Sequence, residues 1–365
     1  MERLTSFMQE NYEAIVTQPK DLALTYQHRK KDVENLVKIL TEQDFNRVCL
    51  TGCGDSLFIS VIAKFTFEKF AGLFTEAIPP LELSNYRRLD ENSLIIAISA
   101  SGRSLKTVEA AKKVKNKNMK LVALTNNMES PLAECADWAL QAKCSEPLGK
   151  SPSKTSTTAL LLLFMLAIEL GMEMGEIGKT EYERLVKEIE TIPNMADRCI
   201  KLNEKNVKRV ATAFKDCHNF HFVGGGPNLG AAMLGATKIK ELDCGHAEAI
   251  ELEEFCHYQI IVIDEGTPVF IVLPQGESYE RGLDVLEGLN IINGRPIIIT
   301  SSGENALIRE RSFEVFEISV SIDEVFSPIL SVMPLQLFAF HLAVSKGKNL
   351  QSFKKPHSSV IRIYF

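Results

Sequence analysis

Three serines surround a single glycine in residues 99–104, directly after the apolar run 93–98. The pattern that follows Ser104 is typical of an amphipathic helix. Hydroxyls at the start of a helix, with its free backbone N–H groups and the positive end of its dipole, can bind an anion without a buried cation. A single serine could serve only to cap the helix. A phosphate site is favoured instead, because three serines, Ser99, Ser101 and Ser104, surround one glycine.

A second stretch, residues 235–259, concentrates side chains that can transfer protons. Lys238 and Glu241 are three residues apart in a helical pattern, so they share one face of the predicted helix. His246 and His257 follow in a segment that we expect to contain a turn. A base and an acid near a phosphate pocket are what proton transfer on a sugar phosphate needs. Lys238 and Glu241 alone could equally be a surface ion pair.

The elements that must position these residues alternate between short apolar strands and amphipathic helices, which is typical of βαβ units and a parallel sheet. Ligands of such sheets bind beyond the carboxyl ends of the strands, where residues 52–56 and 99–104 both lie. A charged helical stretch at 178–209 is interpreted as a connector. The predicted strands are 46–52, 74–78, 94–98, 120–124, 220–226 with its glycine turn, 269–273 and 297–300.

The same order of signals occurs twice along the chain. A glycine turn, a glycine-containing loop and a strand end of the first half recur in the second half 172 to 175 residues later. This spacing is much longer than the period of solenoid repeats. Three matches in the same order therefore indicate an internal duplication of an α/β unit.

The composition is that of an ordinary globular protein, with 365 residues, 45% hydrophobic, 24% charged and a net charge of −6. Such a length predicts about two domains, and a negative charge without a basic block argues against a nucleic-acid partner. The longest apolar run, 159–168, is shorter than the roughly 20 residues that span a membrane, so we expect a buried helix. The N-terminus has no signal-peptide layout. We therefore expect a cytoplasmic protein without a membrane partner.

Two classes of cofactor are not supported by the sequence. The eight cysteines form no C-x-x-C pair, and the spacing of His246 and His257 fits no standard metal site. The three glycines that begin at Gly224 lack the third glycine of the dinucleotide motif G-x-G-x-x-G, because Leu229 stands there. We therefore expect neither a metal site nor a nicotinamide site.

The second half also carries three longer matches to a known family. Residues 235–241 (GATKIKE) resemble G-A-L-K-L-K-E, residues 246–249 repeat H-A-E-A, and residues 254–257 stand where the family has E-L-K-H. In the first half the matching segments are 53–56, 99–102, 124–126 and 146–154. On these motifs the chain resembles a tandem sugar isomerase (SIS) domain protein, similar to the isomerase half of glucosamine-6-phosphate synthase.

The resemblance implies a catalytic role for three residues of the second half. Glu241 would be the base that moves a proton between C1 and C2 of the sugar. Lys238 would lie at the open-chain sugar. His257 matches the ring-opening histidine, which in the family comes from a neighbouring subunit.

The resemblance also implies which residues bind the substrate, a sugar phosphate. Ser99, Ser101 and Ser104 match the phosphate-binding loop, and Ser56 and Ser153 match hydroxyls at the sugar. The implied fold is α/β, with two tandem SIS domains that are each a parallel sheet flanked by helices, a flavodoxin-like three-layer sandwich. The implied enzyme uses no metal or organic cofactor and is a homodimer or a larger homo-oligomer.

The chain departs from the family pattern in three places. Ala100 stands where the family has glutamine. The tail, residues 356–365, has no clear match to the family's lysine, and His357 or Ser358 falls at that position. Met1 leads straight into a helical pattern, without the glutaminase domain and its N-terminal cysteine. We therefore expect that the chain does not draw ammonia from glutamine by itself.

These patterns predict the organisation of the chain. The predicted segments are an N-terminal helical segment at 1–43, a first SIS domain at 44–177, a helical connector at 178–209, a second SIS domain at 210–345 and a C-terminal tail at 346–365.

The predicted reaction is an aldose–ketose isomerisation of a sugar phosphate with cleavage of a C–N bond. The first candidate is glucosamine-6-phosphate deaminase, which converts glucosamine 6-phosphate and water to fructose 6-phosphate and ammonia. A fructosamine-6-phosphate deglycase, acting for example on fructoselysine 6-phosphate, would use the same site. A sugar-phosphate sensor without turnover is the alternative of another class, although a sensor has no need for Glu241, Lys238 and His257 together.

Overall fold

The protein is described by a computed structural model, which forms two five-stranded parallel sheets with helices on their faces. The residues that it describes are 4–88, 90–117, 119–146, 148, 151–303, 306–318, 322–353 and 361–364.

The first sheet contains the strands of the first half of the chain. They are β1 (Arg47–Gly52), β2 (Phe74–Ala77), β3 (Ser93–Ile98), β4 (Lys120–Thr125) and β5 (Trp138–Gln141). All neighbours pair in parallel, in the order β2-β1-β3-β4-β5. This is the strand order of flavodoxin-like folds, in which the chain reverses direction across the sheet between the first and third strands.

The second sheet repeats that order with the strands of the second half. They are β6 (Asn219–Gly224), β7 (His246–Glu251), β8 (Pro268–Val272), β9 (Arg295–Ser301) and β10 (Glu314–Ile318). The order is β7-β6-β8-β9-β10, again with parallel pairs only. The flavodoxin-like fold class and the internal duplication predicted from the sequence are therefore confirmed.

Thirteen α-helices connect and cover the strands in the part of the chain that is described. They are α1 (Ser6–Val16), α2 (Gln18–Thr41), α3 (Asp55–Ala71), α4 (Pro80–Asn85), α5 (Leu105–Lys115), α6 (Pro131–Cys135), α7 (Lys154–Glu173), α8 (Lys179–Ala213), α9 (Asn228–Glu241), α10 (Leu252–His257), α11 (Tyr279–Ile291), α12 (Ala306–Arg311) and α13 (Pro328–Ser345). A short 3₁₀ turn, Gln259–Val262, follows α10.

The central strands are buried along their whole length, as expected for a parallel sheet with both faces covered. Every residue of β3 and of β8 is buried. The apolar run 159–168 lies in α7, which packs between α2 and α3. By length and composition α7 and α13 could each cross a membrane, but 94% and 89% of their apolar windows are buried in the fold. The prediction of a buried helix at 159–168 is confirmed.

The contacts divide the chain into two compact units. The first unit contains the first sheet and is formed by residues 18–148, 154–193 and 361–364. The second unit contains the second sheet and is formed by residues 4–17, 151–153 and 194–353. The domain limits 44–177 and 210–345 remain predictions, although each range contains one complete sheet.

Candidate functional site

In the first unit, the strands β1 and β3 end side by side, and the turns that follow them diverge. Gly52 ends β1 and is paired with Ile98, the last residue of β3. A Cβ atom on Gly52 would lie only 2.7 Å from the carbonyl oxygen of Ile98 and 2.5 Å from the Cβ of Ser56. A glycine is therefore required for the two turns to approach this closely. Such a point of divergence is where open α/β sheets bind ligands.

The serine loop predicted to bind phosphate lies at this point. Ser99 is buried, and its hydroxyl donates to the hydroxyl oxygen of Ser104 at 3.1 Å. Ser101 is exposed, and its oxygen accepts from the backbone N–H of Arg103 at 3.2 Å. Ser104 is the N-cap residue of α5, but its side chain makes no capping hydrogen bond. Capping therefore does not explain the presence of the Ser104 hydroxyl.

Gly102 gives the loop its shape. Its φ of 64° lies in the left-handed region, and its N–H donates to the carbonyl of Ser99 at 2.9 Å. An added Cβ would lie 1.9 Å from the Oγ of Ser130. Both the backbone angle and the close hydroxyl therefore favour glycine here.

The C-terminal residues 361–364 lie against the start of α5. The N–H of Leu105 donates to the carbonyl of Ile363 at 2.9 Å, and Tyr364 forms an antiparallel bridge with Ser104. One of the amides that a helix leaves free at its N-terminus is thus already hydrogen-bonded. The tail positions His357 and Ser358 lie outside the described residues.

Ser56, predicted to contact the sugar, lies in the first turn of α3. The turn before it contains Gly54, whose φ is 58°. The preceding Asp55 accepts a hydrogen bond from the hydroxyl of Ser156 at 2.9 Å. Ser56 and the loop 99–104 therefore lie at the ends of two adjacent strands, as the sequence predicted.

The second unit contains the residues predicted to transfer protons. The helix α9 carries small residues where it approaches the sheet, and a Cβ on Gly235 would lie 2.8 Å from Leu335 and 3.0 Å from Phe222. On this helix the Nζ of Lys238 lies 2.9 Å from the Oε2 of Glu241. The side chain of Lys238 is only 2% exposed and that of Glu241 is 21% exposed. The prediction that the two share a face is confirmed, but a surface ion pair is the wrong description.

A serine that the sequence reasoning missed completes this arrangement. The hydroxyl of Ser151 donates to the same Oε2 of Glu241 at 2.5 Å. The backbone N–H of Ser151 donates in turn to Asn11, on α1, at 2.8 Å. The predicted residue Ser153 is buried nearby and lines a narrow crevice with Ser151 and Lys238. The sequence signal was the pair of serines at 151 and 153, of which only the second was selected.

These contacts stabilise the charged form of Glu241. The buried ammonium of Lys238 is an opposite charge at hydrogen-bond distance, and Ser151 adds a second donor to the same oxygen. Both interactions favour an ionised carboxylate. An ionised, partly exposed carboxylate held by two donors can accept a proton from a bound molecule.

His257 lies in a different environment of the second unit. Its side chain is 68% exposed, and its Nε2 is 3.3 Å from the Oε1 of Glu253. Hydrogen bonds from Arg281 are the main reason that the pKa of Glu253 is lowered. The side chain of His257 thus contacts Glu253, whereas Glu241 contacts Lys238 and Ser151.

The segment around His246 and His257 differs from the turn-containing stretch that the sequence suggested. His246 begins β7, an edge strand of the second sheet, and His257 ends α10. Over the described residues, no group of three or more His, Cys, Asp or Glu side chains is placed to bind a metal ion. The buried thiol of Cys244 has its pKa raised to about 12 by burial, so it is a packed thiol rather than a thiolate ligand.

Comparison with known proteins places this geometry in a family. The model of the SIS domain matches residues 39–170 and 213–346, so that each match contains one of the two sheets. The chain belongs to the SIS domain family. The loop 99–104 and the pair on α9 therefore lie in the first and the second SIS match, respectively.

The relatives of this SIS protein include an aminotransferase. The glutamine–fructose-6-phosphate aminotransferase (isomerizing) of Pyrococcus horikoshii is 31% identical over 337 residues, which are 92% of this chain and 54% of the relative. The chain thus spans about half the length of the curated relatives that it matches. The similarity is to the isomerase half, as the sequence motifs indicated.

Solved structures share the SIS fold over nearly the whole chain. The C-terminal domain of glucosamine-fructose-6-phosphate aminotransferase from Francisella tularensis has a TM-score of 0.83 at 22% identity and covers 93% of this chain and 96% of its own. Glucosamine-6-phosphate deaminase from Thermotoga maritima has a TM-score of 0.72 at 22% identity and covers 95% of this chain and 98% of its own. The predicted fold of two tandem SIS domains is therefore confirmed.

Proposed function

We propose that this SIS protein is an isomerase-type enzyme that releases ammonia from glucosamine 6-phosphate and forms fructose 6-phosphate. The observation that carries the proposal is the buried Lys238 that holds the carboxylate of Glu241 at 2.9 Å. The relatives support the substrate class, because their names include an isomerizing fructose-6-phosphate aminotransferase and a glucosamine-6-phosphate deaminase.

The serine loop would bind the phosphate. The hydroxyls of Ser99, Ser101 and Ser104 supply neutral donors, and the start of α5 supplies the positive end of a helix dipole. The hydroxyls of Ser56 and Ser153 would contact the sugar. A bound phosphate would hold one end of the sugar in a fixed position.

Glu241 would carry the proton in the reaction. In the open-chain amino aldehyde it removes the proton from C2 and returns it to C1, which converts the sugar to a ketose imine. Lys238 stabilises the negative charge that develops on the C1 oxygen during this transfer. Water then adds to the imine carbon at C2 and ammonia leaves, so fructose 6-phosphate and ammonia account for all atoms. No bound cofactor is needed for these steps.

His257 would open the sugar ring in a neighbouring subunit of a homodimer. Its side chain is exposed, and three exposed apolar residues follow it in the chain, Tyr258, Ile261 and Val262, with exposures of 51%, 78% and 60%. Exposed apolar side chains of this size are typical of surfaces that pair with another chain. We propose that this homodimer is a cytoplasmic enzyme.

A substrate panel with the Glu241→Gln variant tests the proposal. Ammonia release from glucosamine 6-phosphate and amine release from fructoselysine 6-phosphate are measured side by side, together with exchange of the C2 hydrogen in deuterated water. We expect ammonia release by the wild type. Glu241→Gln should abolish turnover and keep sugar-phosphate binding. The matched control is Glu310→Gln, which removes one exposed carboxylate on α12 and should keep full activity.

The other outcomes identify the alternatives. Release of lysine without release of ammonia would show a deglycase. Binding of hexose phosphates without turnover or hydrogen exchange would show a sensor. Normal turnover by Glu241→Gln would refute the role of this carboxylate.

A further inference from the structure

The point of divergence in the first sheet has a counterpart in the second sheet. The strands β6 and β8 end side by side, and residues 274–278 follow β8 as residues 99–104 follow β3. Gly276 and Ser278 correspond to Gly102 and Ser104, 174 residues earlier. Ser278 is the N-cap residue of the thirteen-residue helix α11 and, like Ser104, makes no capping hydrogen bond with its side chain. The second unit therefore contains a copy of the loop proposed to bind phosphate.

An anion already lies against this second loop. It is the carboxylate of Glu324, a residue that follows β10 in the chain. Its Oε2 accepts the backbone N–H of Glu277 at 2.9 Å, and its Oε1 accepts the side-chain amide of Asn228 at 3.2 Å. A Cβ on Gly276 would lie 2.0 Å from the carboxylate carbon. The carboxylate thus lies directly on the loop glycine, between the start of α9 and the start of α11.

The two residues that hold this carboxylate correspond to residues of the first site. Asn228 is the counterpart of Ser56, 172 residues earlier, and Glu277 is the counterpart of Arg103. The N–H of Arg103 donates to the serine hydroxyl of its own loop, whereas the N–H of Glu277 donates to Glu324. The carboxylate of Glu324 is therefore bound by groups at the positions that Ser56 and Arg103 occupy in the first unit.

A further polar atom of this loop lies against the glycine turn that follows β6. The Oγ of Ser278 is buried and has no hydrogen-bond partner among the residues that the structure describes. It lies 3.1 Å from the position of a Cβ on Gly225, in the glycine turn after β6. A buried hydroxyl without a partner is unusual in a native protein. A phosphate has more acceptor oxygens than a carboxylate and could use this donor.

We propose that the loop after β8 is a second anion-binding loop, for phosphate monoesters, which the carboxylate of Glu324 closes in the native chain. The chain consequently binds one sugar phosphate, in the first unit, and not two. An attached carboxylate competes efficiently, because its local concentration at the loop is far above that of a free ligand. The single site in the first unit rests on the proposed function, whereas the closed loop in the second unit rests on the contacts of Glu324 alone.

Calorimetric titration with inorganic phosphate tests the proposal on the full chain. The wild type should bind one phosphate per chain, and Glu324→Ala should bind two. The control Glu277→Gln removes one negative charge from the loop itself but keeps both the backbone N–H of Glu277 and the carboxylate of Glu324. It should bind one phosphate. Adding Gly276→Ala to Glu324→Ala places a Cβ where the carboxylate was and should abolish the gained site.

Each outcome decides a separate point. One phosphate for folded Glu324→Ala, or two for Glu277→Gln, would overturn the closed-loop proposal. If Glu324→Ala does not fold, Glu324→Gln keeps the side-chain volume and is titrated instead, with the same expected gain and the same refutation. No site in the wild type and one in Glu324→Ala would support the closed second loop and refute phosphate binding by residues 99–104.

Discussion

The hydroxyl oxygens of Ser99 and Ser104 lie 3.1 Å apart, although Ser104 stands where a serine normally bonds to the N–H groups of a helix. An N-cap side chain that is turned away from its helix contributes little to helix stability. The pair instead presents two hydroxyls at the positive end of α5, beside the end of β1.

The first prediction concerns this hydroxyl pair. Ser104→Ala should weaken binding of glucose 6-phosphate roughly 10- to 100-fold, as expected for a lost hydrogen bond to a charged group. The free energy of unfolding should also fall, by about 1 kcal/mol, because the buried hydroxyl of Ser99 loses the oxygen that accepts its hydrogen bond. Calorimetric titration and urea unfolding measure the two effects.

The matched control for Ser104→Ala is a cap that does bond to its helix. Thr5 caps α1, and its side chain accepts the N–H of Met8 at 3.2 Å. Thr5→Ala should destabilise the fold by about 1 kcal/mol and leave phosphate binding unchanged. If Ser104→Ala instead behaves as Thr5→Ala does, the hydroxyl of Ser104 is a structural cap.

The second prediction concerns Gly102. Gly102→Ala should lower the free energy of unfolding by more than the roughly 1–2 kcal/mol that a left-handed residue costs, because the new Cβ overlaps the hydroxyl of Ser130. It should also weaken phosphate binding at least about tenfold, since a shift of the loop separates its donors. Gly175→Ala is the control, because Gly175 has a φ of 77° but nothing within 4 Å of its Cβ position. Equal losses of stability in both variants would contradict the close contact.

The third prediction concerns the buried ion pair. Lys238→Met should lower kcat about 100- to 1,000-fold, because the developing charge loses its cation. It should also lower the free energy of unfolding by about 1–3 kcal/mol, since Glu241 loses a buried donor. The control Lys240→Met lies on the exposed face of the same helix and should affect neither quantity. Steady-state kinetics measures kcat, and urea unfolding measures the free energy of unfolding. Full activity of Lys238→Met would refute the electrostatic role of Lys238.

The fourth prediction concerns pH and the contacts of Glu204. Its pKa is lowered from the ordinary value of 4.5, first by a hydrogen bond from His341 and also by one from Tyr12. Because the folded-state pKa is the lower one, these contacts stabilise the fold above about pH 4.5, and this stabilisation is lost as the pH falls through the folded-state pKa. The melting temperature of Glu204→Gln should therefore fall less steeply than that of the wild type between about pH 5 and pH 3. The exposed Glu265→Gln should follow the wild type, and a Glu204→Gln profile as steep as the wild type would disprove the assignment.

The sequence was sufficient to predict the centre of each sheet. The strands β1, β3 and β4 are continuous apolar runs that end in glycine or in polar turns, and these signals are local. The pair Lys238 and Glu241 was also predictable, because the spacing of three residues is fixed by the geometry of the helix.

Three of the four edge strands, β5, β7 and β10, and the contact of Ser151 with Glu241 were not predicted in this way. The strand β7 has the sequence HAEAIE, and its polar residues and small alanines hide the apolar pattern of a strand. The contact of Ser151 with Glu241 joins residues that are 90 positions apart. The contact of Ser151 with Asn11 spans 140 positions. Such contacts depend on the packing of separate elements, which no local pattern specifies.

The burial of α7 has a consequence for synthesis of the chain. Outside the fold, this helix would be apolar enough to enter a lipid bilayer or to aggregate. The helices that cover it, α2 and α3, are both translated before it. The covering surfaces therefore leave the ribosome first, and α7 can be enclosed as soon as it emerges, which limits the time during which a chaperone or a translocation channel could capture it.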